Sequence, residues 1–389
     1  MTVKKSYEEI NQRIKEGKAV VVTAEEVIEI VKEKGVKEAV KSVDVVTTAT
    51  FGPMCSTGAF LNFGHSDPPI RMSKVSLNHV PAYAGIAAVD AYIGATELSE
   101  DKGMEYGGAH VIQDLIDGKK VHLKASSYGT DCYPRMDIET YITKDSINQA
   151  YLYNPRNAYQ NYGAAVNTSD RVIYTYMGVL QPRSGNITYC SAGELSPLLN
   201  DPYYRTIGIG TRIFLGGAVG HVAWEGTQHN PGKERGSNGV PMSNAGTLAV
   251  AGDLKDMNSK YIRAAVFEKY GATMYVGIGI PIPIIDEDMM EHVSVQNKDI
   301  YTDVIDYSVP KRNKPTFGKV SYQQLRSGFV EIDGKKIRTS PLSSLAKARE
   351  IADLLKEWIN EGKFFVERPV QPLPSTAKPR SLEVIGKEE

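Results

Sequence analysis

Three side chains in this 389-residue chain carry the sharpest chemical potential: Cys55, Cys132 and Cys190. A thiolate is a nucleophile, a sulfur carrier and a metal ligand. So sparse and odd a set cannot form a disulfide framework, which points to a reducing compartment. Cys132 sits in Tyr128-Gly129-Thr130-Asp131-Cys132-Tyr133-Pro134-Arg135. Arg135 favours a thiolate there and Asp131 opposes it. Cys55 lies in Phe51-Gly52-Pro53-Met54-Cys55-Ser56-Thr57-Gly58, a stretch built for a turn. A helix opening at Ser56 would favour a thiolate at Cys55 through its dipole. Cys190 follows a candidate strand. The plain alternative for each is a small buried hydrophobe. Three thiolates can also hold a [4Fe–4S] cluster with one iron open. The wide spacing of these cysteines matches no compact ferredoxin pattern and leaves that alternative standing.

The histidines add candidates for proton transfer. His65, in Gly64-His65-Ser66-Asp67-Pro68-Pro69, and His229, in Gly226-Thr227-Gln228-His229, fall on loops, where function concentrates. His122 falls on the polar side of a strand and reads as solvated. No two histidines pair at helical spacing, so no local zinc motif forms. P-loop, H-E-x-x-H, C-x-x-C and G-x-S-x-G patterns do not occur. Gly208-Ile209-Gly210 and Gly277-Ile278-Gly279 begin like dinucleotide fingerprints, but Ile213 and Ile282 stand where the third glycine belongs.

These residues need elements to hold them. Thr23 and Glu26 form a capping box that opens a helix, and Gly35 stops it. Residues 43–50, β-branched and apolar, predict a buried strand that runs into the Cys55 turn. In 120–125, Val121, Leu123 and Ala125 alternate with His122 and Lys124, predicting a strand that delivers Cys132 to a loop. Open α/β sheets place ligands at such strand ends. Residues 171–180 predict a further strand. Glycine is dense between 208 and 252, with 11 of the chain's 35 glycines, which suggests close approach of backbone to backbone or ligand. Pro310 to Pro315 reads as a polar linker. Beyond it, Asp333-Gly334 predicts a hairpin. An amphipathic helix with Leu345, Ala348, Ile351, Ala352, Leu355 and Ile359 on one side follows, ending at Gly362.

The expected architecture is therefore a mixed α/β core over 1–309, a small α+β hairpin–helix piece over 317–368, and a disordered tail over 369–389. The formal charge of −1 excludes nucleic-acid binding by bulk charge. The most apolar run, 272–285, is too short to span a bilayer and carries Pro281 and Pro283. No membrane association and a cytoplasmic location are expected. The 22 tyrosines, against 9 phenylalanines, suit an interface and suggest a homodimer.

The longer strings resemble one family, the homocysteine biosynthesis proteins, or L-aspartate semialdehyde sulfurtransferases. The resemblance runs from about Val20 to about Val309. It rests on Ala49 through Pro69, Tyr128 through Arg135, Leu195 through Arg212, Trp224 through His229 and Gly277 through Pro283. It implies conversion of aspartate semialdehyde and sulfide to homocysteine, with electrons from a ferredoxin-like iron–sulfur partner and no tightly bound cofactor. It implies that Cys132 carries a persulfide and that Cys55 is its companion, closing a Cys55–Cys132 disulfide. Arg135, Arg205 and Arg212, each in a matching string, are candidates for the substrate carboxylate. His65 and His229 are candidates for the general acid that loses water. Under the cluster alternative, Cys55, Cys132 and Cys190 would hold the metal. Many archaeal members continue into paired CBS modules, whereas this chain continues into the hairpin, helix and tail. On residues alone a non-catalytic, ligand- or partner-binding role also remains open.

Overall fold

The computed structural model describes residues 3–383 and residue 385. It shows a mixed α/β fold, 19% helix and 37% strand. The longest strand is Gly271–Pro283, nearly all apolar and almost wholly buried. Val45–Pro53 lies antiparallel to it over its whole length, from Val45 opposite Pro283 to Pro53 opposite Tyr275. This pair is the centre of a ten-stranded sheet. Beyond Gly271–Pro283 the sheet continues through Arg212–Leu215, Ala218–Glu225, Leu248–Asp253, Gln149–Asn157, Gly58–Asn62 and Asp90–Gly94. Only Val21–Thr23, on the far side of Val45–Pro53, joins the sheet in parallel.

The helix-forming signals hold. Thr23 and Glu26 form the reciprocal capping box of Ala24–Lys34, and Gly35 caps its end with φ of 74°. Helix Leu345–Asn360 buries Ala348, Ile351, Ala352, Leu355 and Ile359. Its face lies directly on the central strand. A Cβ on Gly277 would stand 2.8 Å from Ile351 Cδ1, and one on Gly279 would stand 3.1 Å from Ile351 Cγ2. The Gly277-Ile278-Gly279 pair therefore serves close helix-on-sheet packing.

A six-stranded sheet packs its own core, which includes Val166, Ile187, Tyr189, Val304, Tyr322 and Ile337. Its order is Thr316–Ser321, Tyr301–Asp306, Ala164–Val166, Asn186–Tyr189, Lys335–Pro341 and Phe329–Ile332. Asp333 and Gly334 both take positive φ, 51° and 73°, as a type I′ hairpin turn requires. The Pro310–Pro315 segment is a loop between two antiparallel strands of this one sheet. Thus the chain crosses from 309 to 317 inside a single ladder, and the C-terminal hairpin pairs in parallel with Asn186–Tyr189. The tail over 369–389 is held down at its start, where Gln371–Pro372 pairs with Gly208–Ile209 and Leu373 is buried. Residues 384 and 386–389, also expected to be disordered, lie outside the described residues.

Two local expectations are corrected. Residues 171–180 form not one strand but a hairpin, Ile173–Thr175 with Gly178–Leu180, turning at Tyr176 and Met177. Val121–Ser126 does bury Val121, Leu123 and Ala125. It belongs, however, to a four-stranded antiparallel sheet with Asp137–Ile142, Lys74–Leu77 and Val80–Ala82. The Cys132 loop connects two antiparallel neighbours, so the strand-end rule for parallel sheets does not apply to it. No helix among the described residues is long and apolar enough to cross a membrane.

Candidate functional site

Cys55 occupies the tight turn between Val45–Pro53 and Gly58–Asn62. Both the Thr57 amide (3.0 Å) and the Thr57 hydroxyl (2.6 Å) donate to Met54 O and close the turn. No helix opens at Ser56, so no helix dipole acts on this thiol. Buried Asn154 fixes the turn from the neighbouring strand. Its Nδ2 donates to Thr57 Oγ1 at 2.8 Å, and its Oδ1 accepts from Ser56 Oγ at 3.2 Å.

The same Asn154 Oδ1 accepts from the amide of Arg156 at 2.9 Å. Here the ladder to Leu248–Asp253 skips from Asn154 to Asn157. Pro155 has no amide proton to give, and the resulting bulge pushes Arg156 out of the sheet. Arg156 Nε is anchored on Thr227 Oγ1 at 2.9 Å.

Cys55 and Arg156 open into a cavity of about 190 Å³. It lies where the ends of the two large sheets meet. The ten-stranded sheet contributes Thr50, Pro53 and Thr273. The other side brings Tyr162, the Tyr176–Met177 hairpin tip and Cys190, which follows Asn186–Tyr189. Arg156 is the one side chain of full charge among the described lining residues. One water needs about 10–15 Å³ of such space, so the cavity admits a small metabolite.

Cys190 is held against Cys55's strand by the segment joining the C-terminal hairpin to its helix. Leu342 N donates to Tyr189 O at 2.7 Å, and Ser344 N donates to Phe51 O at 2.9 Å. Between them, Ser343 Oγ accepts from Ser191 N (3.0 Å) and donates to Ser191 O (2.8 Å). A Cβ on Gly52 would lie 3.0 Å from Cys190 Sγ, so glycine leaves the room this thiol occupies. Burial, with a smaller contribution from Cys55, pushes the Cys190 thiol up to about 12. It is therefore protonated at neutral pH.

Phenols surround the two thiols. Burial pushes Tyr159 up to about 12, with Arg156 pulling the other way. Burial and the adjacent Cys55 raise Tyr270. Tyr162 donates to Tyr176 at 3.3 Å, and the Tyr176 and Tyr307 hydroxyls meet at 3.1 Å. Tyr159, Tyr162, Tyr270 and Tyr307, all raised chiefly by burial, remain protonated at neutral pH.

Cys132 stands elsewhere. It is exposed, in a loop packed on the His65 loop. Arg135 ties the two loops together, donating from Nε to Pro68 O at 3.0 Å and from Nη2 to Asp67 O at 2.7 Å. His65 stacks on Tyr133 with ring centres 6.1 Å apart. Cys55 precedes the five-residue strand Gly58–Asn62, and the His65 loop follows it. Roughly 15 Å of strand rise therefore lies between the two places.

The remaining candidates have partners outside the cavity. Arg205 is engaged by Asp286 (2.6 Å) and Asp288 (2.7 Å). The Arg212 guanidinium lies over Phe364 at 4.8 Å. His229 is buried, with Nδ1 at 3.1 Å from the Thr247 amide and carbonyl and Nε2 at 3.1 Å from Pro374 O. Burial lowers its pKa, leaving it neutral. His122 Nε2 meets Glu139 at 2.9 Å. Two cysteines on a cavity and a third on a separate surface loop do not fit three-thiolate coordination of a [4Fe–4S] cluster. Among the described residues, no group of three or more His, Cys, Asp or Glu side chains is placed to hold a metal ion. Arg156 and the tyrosines were missed because no short motif marks them. The Asn154-Pro155-Arg156 run inside a strand pattern was the available signal.

Residues 19–366 match the family model described as homocysteine biosynthesis enzyme, sulfur-incorporation. The chain belongs to this family. The match passes Val309 and takes in the C-terminal hairpin and helix. A protein of Methanosarcina acetivorans named L-aspartate semialdehyde sulfurtransferase is 53% identical over 380 residues, covering 98% of this chain and 74% of that protein. One of Methanocaldococcus jannaschii with the same name is 52% identical over 386 residues, covering 95% and 74%. No solved structure matches the chain.

Proposed function

We propose that this chain is an L-aspartate semialdehyde sulfurtransferase, which makes L-homocysteine from the semialdehyde and sulfide in the Cys55 cavity. The observation that carries this reading is the joining of one thiol turn, one cation and several protonated phenols in a space of metabolite size. The relatives' names support the substrate.

Turning an aldehyde into a thiol replaces the carbonyl oxygen by sulfur, releases water and consumes two electrons. Arg156 binds the α-carboxylate through charge-assisted hydrogen bonds and turns the aldehyde carbon toward Cys55. The phenols donate the protons that carry the oxygen away as water. Hydrosulfide opens a Cys55–Cys132 disulfide, formed when the open Cys132 loop swings to the cavity; its sulfur bonds to Cys132 as the disulfide bond breaks, so the disulfide is the two-electron oxidant, and the outer sulfur of the Cys132 persulfide then passes to the freed Cys55 thiol. In this exchange the Cys132 thiol is regenerated as the Cys55 persulfide forms. His65 and Arg135 shape that loop. A ferredoxin-like iron–sulfur partner supplies the electrons.

The test is anaerobic turnover of aspartate semialdehyde with sulfide and a low-potential reductant, with homocysteine quantified. Cys55→Ser is expected to abolish product. Cys132→Ser is expected to lose turnover at low sulfide and to recover part of it when polysulfide loads Cys55 directly. Full activity in Cys55→Ser would overturn the proposal.

A further inference from the structure

The cavity meets the two charges of aspartate semialdehyde unequally. The α-carboxylate has Arg156, the one side chain of full charge among the described lining residues. The α-ammonium has no carboxylate among them. The charges acting on the surrounding groups agree. Tyr159 feels Arg156, Cys55 and Tyr176, Cys190 feels Cys55, and Tyr275 feels Cys190. No Asp or Glu stands among them. An ammonium is left with neutral hydroxyls such as those of Thr50, Ser191 and Thr273. Of these, Ser191 Oγ already accepts from the Gly193 amide at 2.9 Å.

We propose that the cavity recognises the carboxylate and the aldehyde but not the amino group, so that this chain also converts ω-oxo acids without an amine, 4-oxobutanoate first among them, to the matching thiols. This rests on the reading that the carboxylate of the semialdehyde binds Arg156.

Charge complementarity favours the amine-free acid. 4-Oxobutanoate is an anion and makes a neutral pair with Arg156. The zwitterionic semialdehyde brings no net charge, so the occupied cavity keeps the charge of Arg156. Its ammonium leaves water with only its own carboxylate as a near counter-ion, which costs free energy. A site built to hydrogen-bond a polar group rejects the analogue lacking it by about 10⁴–10⁵-fold, because buried partners are left unpaired. Here the missing amine leaves no buried charge unpaired. Both acids have the same spacing from carboxylate to aldehyde, so the same Arg156 contact presents the same carbon to Cys55.

The reaction balances as it does for the amino acid. The aldehyde and hydrogen sulfide give the thioaldehyde and water, with the carbon–oxygen bond broken and a carbon–sulfur bond formed. Two electrons and two protons, the electrons from the iron–sulfur partner, then reduce the thioaldehyde to 4-sulfanylbutanoate.

The test incubates the full-length protein anaerobically with sulfide, a low-potential reductant and each aldehyde in turn. Homocysteine and 4-sulfanylbutanoate are quantified, and product formed without protein is subtracted. The expected kcat/KM for 4-oxobutanoate lies within about thirtyfold of that for aspartate semialdehyde. Arg156→Gln is expected to raise KM for both by roughly ten- to hundredfold. Calorimetry with the unreactive alcohols 4-hydroxybutanoate and L-homoserine reads the same preference without turnover. Homocysteine without 4-sulfanylbutanoate, or a larger preference for the amino acid, overturns the inference and leaves the assigned substrate intact. An Arg156→Gln effect confined to the semialdehyde also overturns it. 4-Sulfanylbutanoate without homocysteine sustains the inference and overturns the assigned substrate. Neither product, with neither alcohol bound, overturns both.

Discussion

At the residue scale, charge and burial divide the labour. Arg156 is the cation of the cavity, so its loss should act on carboxylate binding. Arg156→Gln is expected to cost about 1.5–3 kcal/mol of binding, as hydrogen bonds to charged groups do. That is roughly a ten- to hundredfold rise in KM for aspartate semialdehyde. Propanal, which has no carboxylate, should show no such difference between wild type and variant. A matching loss on both aldehydes would instead make Arg156 a structural residue. The cysteines should differ in reactivity toward iodoacetamide at neutral pH. Exposed Cys132 should be alkylated first and Cys190 last, by peptide mapping. His229 sets an acid limit. Its folded pKa lies below the ordinary 6.5. Its contribution to stability is therefore full above 6.5 and is lost as pH falls through the folded value. His229→Gln should flatten the fall in melting temperature on acidification below that pH.

At the element scale, one bulge and one turn build the site. Asn154 serves both, through Thr57, Ser56 and the Arg156 amide. Asn154→Ala leaves buried partners unsatisfied and should cost about 1–3 kcal/mol in chemical denaturation. It should also raise KM for the semialdehyde, since Arg156 loses its backbone anchor. Much at this scale was legible in the sequence. The Thr23–Glu26 capping box, the Asp333-Gly334 turn and the period of 345–359 each depend on local chemistry, and each formed as read. The 171–180 strand failed because β-branched and aromatic residues do not reveal a turn at Tyr176-Met177. Arg156 was invisible for a related reason: its place depends on a ladder register shared with a strand a hundred residues away.

At the scale of the whole molecule, the C-terminal segment completes the site rather than following it. Its hairpin extends the six-stranded sheet and its helix covers the central strand. Between them, Ser343 holds the residue after Cys190. The change of texture past Asp306 suggested a boundary because Pro310–Pro315 is polar. Composition reports exposure, though, and this loop is exposed inside one ladder. Leu355, fully buried under the central strand, should cost about 2–5 kcal/mol when cut to alanine. A chain ended at Val309 should show no cooperative melting transition, and proteolysis should not release 317–368 as a folded piece.

The cysteine chemistry was legible in kind but not in place. Three thiols on distant loops carry no distances in sequence, and only the meeting of the two sheets brings Cys190 to Cys55. The central claim is that sulfur reaches the aldehyde from Cys55 in this cavity. Anaerobic turnover of aspartate semialdehyde, sulfide and a low-potential reductant by wild type and Cys55→Ser, with homocysteine counted per active chain, tests it most directly. The account predicts many turnovers for wild type and none for Cys55→Ser. Equal homocysteine from both proteins would contradict it.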